Sequence, residues 1–153
     1  MALNMARAEF ALSHRLRVRW AEIDRQGIVF NGHYLTYFDI GITEYWRAIG
    51  YPYPDALLAE GSDTFVAKAT IEYHAPAHYD DLVDVLVRVA RIGRTSMQFL
   101  IEISRTEPDG GETHLVSDEV IYVNADAITR KPAPVPGFLR ETIARYERVQ
   151  PIE

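Results

Sequence analysis

The chain has 153 residues and a mass of 17.4 kDa, enough for one domain with a real core, and nearly half of it is apolar. That content excludes a disordered chain, and a net charge of −6 with a pI near 5.4 argues against general nucleic-acid binding. There is no cysteine, which removes disulfide staples, thiolate nucleophiles and cysteine-ligated metals. No apolar run approaches membrane-spanning length, and the first residues lack a signal peptide's apolar core. The expectation is a soluble, cytoplasmic protein with no membrane partner.

In chain order, residues 1–14 read as a loose N-terminal arm. A first strand over residues 15–21 alternates apolar residues with Arg15, Arg17 and Arg19, the solvated face of an edge strand. Residues 21–31 then carry one flexible glycine, Gly27, and the pair Asp24-Arg25. From about Gly32 the spacing predicts a helix whose apolar residues, among them Tyr34, Leu35, Phe38, Ile42, Tyr45 and Trp46, cover most of its circumference. Such a helix belongs in an interior. Asn31 is its expected N-cap, Gly50 its C′ residue, and Pro52 prevents continuation. Gly41 falls on the Tyr34–Phe38–Tyr45 face, where a missing side chain lets a sheet come close.

Residues 51–62 read as a loop with a short helical turn around residues 55–59. Four strands follow, over residues 65–73, 83–89, 97–103 and 115–123. The last is apolar on both faces and is read as central. Ile92-Gly93-Arg94 and Pro108-Asp109-Gly110-Gly111 mark hairpins, and a Pro-rich loop over residues 131–136 leads to a last helix near residues 138–147. The order β–α–β–β–β–β predicts an α+β domain, a curved antiparallel sheet of about five strands wrapped around one long central helix. Residues 15–125 form that domain, and residues 126–153 form the loop and terminal helix. One sheet covers one side of a helix, so part of residues 18–50 is expected to face a second subunit in a homodimer or homotetramer.

Asp24 stands before the start of this helix, where a carboxylate can attack a thioester or activate water. The helix start supplies free N–H groups and the positive end of a dipole for a developing oxyanion. The plain alternative is a turn residue without chemistry. His74, His78, Asp80 and Asp81 are ligand-type residues, but Pro76 between the histidines keeps them off a shared helix face, and no metal site is expected. A nucleophile elbow, P-loop and dinucleotide fingerprint are all absent from the sequence. Arg91, Arg94, Thr95 and Ser96 form a short turn with two guanidinium groups and two hydroxyls. It is either a phosphate-binding turn or a solvated one, and Arg130 and Lys131 are a second candidate pair.

The stretch VRWAEIDRQGIVFNGHYLTYFDIGITEYWR resembles the signature of the hot-dog-fold acyl-CoA thioesterases, in their 4-hydroxybenzoyl-CoA thioesterase-like branch. The matching positions are Asp24, Gly27, Ile28-Val29, Phe30-Asn31, Tyr34 and Asp39. The resemblance extends to IEYHAPAHYDDLVDV, IGRTSMQF and RKPAPVP. It implies a hot-dog fold and hydrolysis of an acyl-CoA without cofactor, coenzyme A being part of the substrate. It also implies a catalytic aspartate at Asp24 and a carbonyl-polarising backbone N–H at Asn31. Many bacterial members carry histidine where Asn31 stands. Here the nearest is His33, which either orients water or the substrate carbonyl or is a hydrogen-bonded helix-start residue. Gly32 and Tyr34 are assigned to substrate binding, and the 91–96 turn to the nucleotide end of coenzyme A. Asp39 and Glu44 are further candidates on the helix itself, with Glu44 expected to pair with Arg47. A hot-dog dehydratase wants histidine five residues after the aspartate, where this chain has Val29. A non-catalytic acyl-CoA or acyl-carrier binder on the same fold is the remaining alternative.

Overall fold

The computed structural model describes residues 7–153, so residues 1–6 of the expected arm lie outside the described residues. One antiparallel sheet runs in the order β1-β3-β4-β5-β2, with β1 Leu12–Arg17, β2 Ser62–Tyr73, β3 Leu82–Ile92, β4 Ser96–Thr106 and β5 Glu112–Asp126. Across it lies α1, His33–Ala48, which is followed by the short α2, Asp55–Ala59. The chain ends with α3, Gly137–Tyr146. This is the hot-dog arrangement.

The sheet faces α1 through Val83, Val85, Val87, Phe99, Ile101, Ile103, Val116 and Val120, all buried. They meet Tyr34, Tyr37, Phe38, Ile42, Tyr45 and Trp46 of the helix. Gly41 permits this approach: a Cβ there would lie 2.6 Å from Val85 Cγ1 and 2.9 Å from Val87 Cγ2. Gly50 takes φ +87° just past the helix, the left-handed position that glycine adopts without a steric cost. The helix is not buried all round. Leu35 remains 49% exposed and Asp39 is exposed, because one sheet covers only one side.

Four local expectations are corrected. The first strand starts and ends earlier than residues 15–21, pairing from Leu12↔Val87 to Arg17↔Leu82. Past it, Trp20–Glu22 forms a 3-10 turn, so Arg19 leaves the strand face and pairs with Glu22. Arg15 and Arg17 do stand on an edge strand, paired with Asp84 and Asp80. Of the arm, Phe10 is buried on the sheet's outer face against Leu86 and Leu100 rather than loose. The residue at the N-cap of α1 is Gly32, with no side-chain cap, in place of Asn31. Finally, β4 is the middle strand, while β5 is an inner strand between β4 and β2.

Both expected hairpins form: Gly93 N–H donates to Ser96 O (2.8 Å) and Glu107 N–H to Gly111 O (2.7 Å). Strand β2 does not pair with β3, its successor in the chain. It crosses to β5 in a register that sets Tyr73 opposite Val116. No helix among the described residues is long and apolar enough to cross a membrane.

Candidate active site

The loop from Ile23 to Asn31 is closed on itself before α1 begins. Ile23 and Val29 form an antiparallel bridge, Asp24 N–H donates to Ile28 O (2.9 Å), and Gly27 N–H to Asp24 O (3.0 Å). Gly27, at φ +82°, supplies the left-handed residue that this tight turn requires. Within it the Asp24 carboxylate accepts Gln26 N–H at 2.7 Å through Oδ1, which leaves Oδ2 uncommitted among the described residues. Asp24 is therefore an Asx-turn residue, and it also borders the largest cleft described. The turn geometry of the plain reading is thus present, at the edge of a cleft.

That cleft has a volume of about 490 Å³. One wall comes from the loop: Asp24, Gln26, Ile28, Val29 and Asn31. The rest of the lining comes from Tyr34 and from the end of β2 with the residues after it, Tyr73, His74, Ala75 and Pro76. The Tyr73 hydroxyl donates to the Asn31 carbonyl (3.1 Å). The N–H groups of Phe30, His33, Tyr34 and Leu35 are all donated to main-chain oxygens, whereas those of Asn31 and Gly32 are not, among the described residues. They sit at the positive end of a 16-residue helix, so a negatively charged oxygen is stabilised there.

The remaining candidates separate. Tyr34 lines the cleft and is buried, its hydroxyl accepting Ala77 N–H (3.2 Å), and burial pushes its hydroxyl up in pKa. Gly32 lies at the loop–helix junction, where a Cβ would meet the Phe30 ring at 2.8 Å. His33 turns toward Phe30, ring edge to ring face at 5.6 Å, and is not among the residues lining the cleft. Asp39 borders a second cleft of about 240 Å³ with Trp46 and Tyr122. Glu44 pairs with Arg47. His74 stacks on His114 at 4.4 Å, while His78 N–H donates to Asp81 (2.8 Å), so the two histidines part.

The 91–96 turn is not at the cleft. Its main chain is tied to the terminal segments, Thr95 O accepting Asn124 N–H (2.7 Å) and Arg94 O accepting Val135 N–H (2.9 Å). Ser96 pairs with Val123, whereas the cleft residue Tyr73 is level with Ile103 through Val116. Seven residues of β4 separate the two levels, about 23 Å at strand rise. Arg91 and Arg94 are exposed and make no ion pair among the described residues. Arg130 lies over the Phe65 ring at 4.9 Å.

Three contributors were not assigned to this site in the sequence, His74 having been weighed only as a metal ligand. Tyr73 and His74 lie within the resembled stretch of residues 71–85, which carries no local mark of their role. Glu22 is the third. It is buried, and the Arg19 N–H (2.8 Å), the Arg19 guanidinium and the Tyr37 hydroxyl (2.8 Å) all donate to its carboxylate. Burial pushes that carboxyl up, but these donors outweigh burial and hold it below the usual range.

Residues 26–112, more than half of the chain, match the model of the thioesterase superfamily. The chain is 31% identical over 121 residues to the acyl-CoA thioester hydrolase YbgC of Escherichia coli O6:H1, covering 79% of this chain and 87% of that one. Its fold superposes with a TM-score of 0.80 on a 4-hydroxybenzoyl-CoA thioesterase variant complexed with 4-hydroxybenzoyl-CoA, at 21% identity, covering 86% and 97% of the two chains. A hypothetical protein from Aquifex aeolicus gives 0.77 at 24% identity, covering 86% and 98%.

Proposed function

Because this chain belongs to the thioesterase superfamily, we propose that it hydrolyses acyl-CoA thioesters to a free carboxylic acid and coenzyme A. The observation that carries the reading is the meeting of the Asp24 carboxylate and the undonated Asn31 N–H in one cleft. The thioester carbonyl oxygen docks at the Asn31 N–H, and Asp24 acts on the carbonyl carbon from the other side. It does so either by removing a proton from an attacking water or by forming a transient anhydride that water then opens. In both routes the C–S bond breaks, coenzyme A leaves as its thiolate and takes up a proton, and the oxyanion is held by the helix start. His33 is a helix-start residue packed on Phe30. The reaction needs no cofactor.

Gly32 and Tyr34 shape the acyl side, and the aromatic walls of Tyr34 and Tyr73 suit an aromatic or an aliphatic acyl group. Arg91, Arg94, Thr95 and Ser96 take the phosphates of the nucleotide, at the far end of an extended coenzyme A or from a neighbouring subunit. The working form is a homodimer or a pair of dimers in the cytoplasm. This is supported by the open β2 edge, where Val66 is 59% and Tyr73 52% exposed, and by the uncovered Leu35 side of α1. The test is thiol release by the purified protein from short-chain, long-chain and aromatic acyl-CoAs. A protein that binds these thioesters but releases no thiol is a carrier or sensor on the same fold, the one other reading this cleft allows.

A further inference from the structure

We propose that Glu22 is the positioning residue of this site, holding the Asp24 carboxylate and the Asn31 N–H at one fixed spacing. The inference rests on the assignment of Asp24 and Asn31 above. A carboxylate that is only 5% exposed is tolerated when every lone pair is met by a donor, and here this condition is satisfied. Oε1 accepts the Arg19 N–H and the Tyr37 hydroxyl, each at 2.8 Å. Oε2 accepts Arg19 Nε at 3.2 Å and Nη2 at 2.9 Å. The main-chain oxygen of the same residue accepts the Phe30 N–H at 3.0 Å.

Glu22 therefore ties together three pieces of chain that adjoin the chemistry. Asp24 follows it by two residues. Phe30, bonded to its carbonyl, immediately precedes Asn31. Tyr37, bonded to its carboxylate, is a fully buried residue of α1, the helix whose start is proposed to receive the oxyanion. The restraint continues to the cleft wall. The Tyr37 ring packs edge-on against Tyr34 at 5.6 Å, the Tyr34 hydroxyl holds Ala77 N–H, and Ala77 O holds Val29 N–H (2.9 Å). The 3-10 turn itself needs none of the side-chain bonds, since Glu22 N–H to Arg19 O (3.0 Å) and Ile23 N–H to Trp20 O (3.2 Å) close it. An apolar side chain of similar size would fill the space without fixing a direction; four directional bonds fix it. The bonds to Glu22 thus restrain the chain just before Asp24, the peptide before Asn31 and α1 relative to one another.

The test is steady-state thiol release from an acyl-CoA by Glu22→Gln, Tyr37→Phe and their combination, each also in an Asp24→Asn background, at temperatures where circular dichroism reports each variant folded. Glutamine keeps the size and an acceptor for Tyr37, but it turns an amide N–H toward the Arg19 guanidinium. Each single substitution should lower kcat by roughly ten- to a hundredfold with KM nearly unchanged, the effect of misplacement by about an ångström. The combination should be no worse than the worse single variant, and in the Asp24→Asn background the substitutions should cost clearly less than in the wild type, since only the Asn31 contribution remains to be misplaced. Lower thermal stability with kcat per folded molecule unchanged overturns the proposal, as does a full additional loss in the Asp24→Asn background. If Glu22→Gln does not fold, Tyr37→Phe decides alone, since it cuts the helix link and leaves the Arg19 bonds in place. Wild-type turnover by Asp24→Asn overturns the assignment of Asp24 itself, and the positioning role with it. An inactive Asp24→Asn beside fully active Glu22→Gln and Tyr37→Phe overturns only the positioning role.

Discussion

The Tyr73 hydroxyl donates to the Asn31 carbonyl at 3.1 Å, so the last residue of β2 steadies the peptide next to the N–H proposed to receive the oxyanion. Tyr73→Phe removes this bond and little else. Because the bond is partly solvated, its loss should lower kcat by about three- to tenfold, the net value of one hydrogen bond. An unchanged kcat would show that Asn31 is held well enough by the loop alone.

Asp24→Asn keeps size and hydrogen-bonding capacity but removes charge and basicity. Hydrolysis should fall by a factor of about a hundred or more while acyl-CoA still binds, the pattern of a group that acts only in the transition state. Near wild-type turnover would move the role to Asp39, Glu44 or water alone.

Arg94 stands in the turn just before β4, whose first residue is about 23 Å of strand from the level of Tyr73, too far to sense the reacting carbonyl. If it holds a coenzyme A phosphate, Arg94→Ala should raise KM by roughly tenfold and leave kcat nearly alone, and added salt should narrow the difference. A pantetheine thioester, which lacks the nucleotide, should not respond to the substitution. Equal damage to both substrates identifies a structural role in the hairpin instead.

Asp118 gives a prediction about pH. It stands on the core face opposite Ile71 and Ile101, neither of its oxygens has a well-formed hydrogen bond among the described residues, and burial, only partly offset by the nearby backbone N–H groups of Glu119 and Thr70, pushes its carboxyl up to about 7. The folded state thus holds a proton that the unfolded chain releases near its ordinary value. Stability from this group is full below about pH 4 and declines as pH rises toward about 7, after which the loss stays constant. Asp118→Asn, neutral at every pH, should be more stable than wild type at pH 8 by an amount on the order of a few kcal/mol. The difference should shrink toward pH 4. Denaturant melts at pH 4, 6 and 8 measure it. A wild-type minus variant difference independent of pH would mean that Asp118 is ionised in the folded protein.

The exposed β2 edge and the Leu35 side of α1 lead to an expectation about assembly. Light scattering at micromolar concentration should give a dimer or larger species, and a fully active monomer is the result that would sink this.

Much of this protein is determined by its sequence at short range. The helix from residue 33, the need for a glycine at position 41, the stop at Gly50, the turn at Asp55–Ala59 and both hairpins depend on neighbours a few residues apart. Apolar period and turn chemistry report such features directly. The nearness of Asp24 to the helix start was legible for the same reason, only seven residues separating Asp24 from Asn31. Tertiary structure decided the other half of the site. Tyr73 and His74 reach the cleft because β2 passes over its neighbour in the chain to pair with β5, a choice made by burial of the whole sheet and by no local signal. The same long-range packing buries Glu22 against Tyr37, fifteen residues away, and sets the Arg94 turn at the opposite end of the sheet. A residue's propensity reports its immediate neighbours, whereas its partners across a sheet are settled only when the entire apolar surface finds its cover.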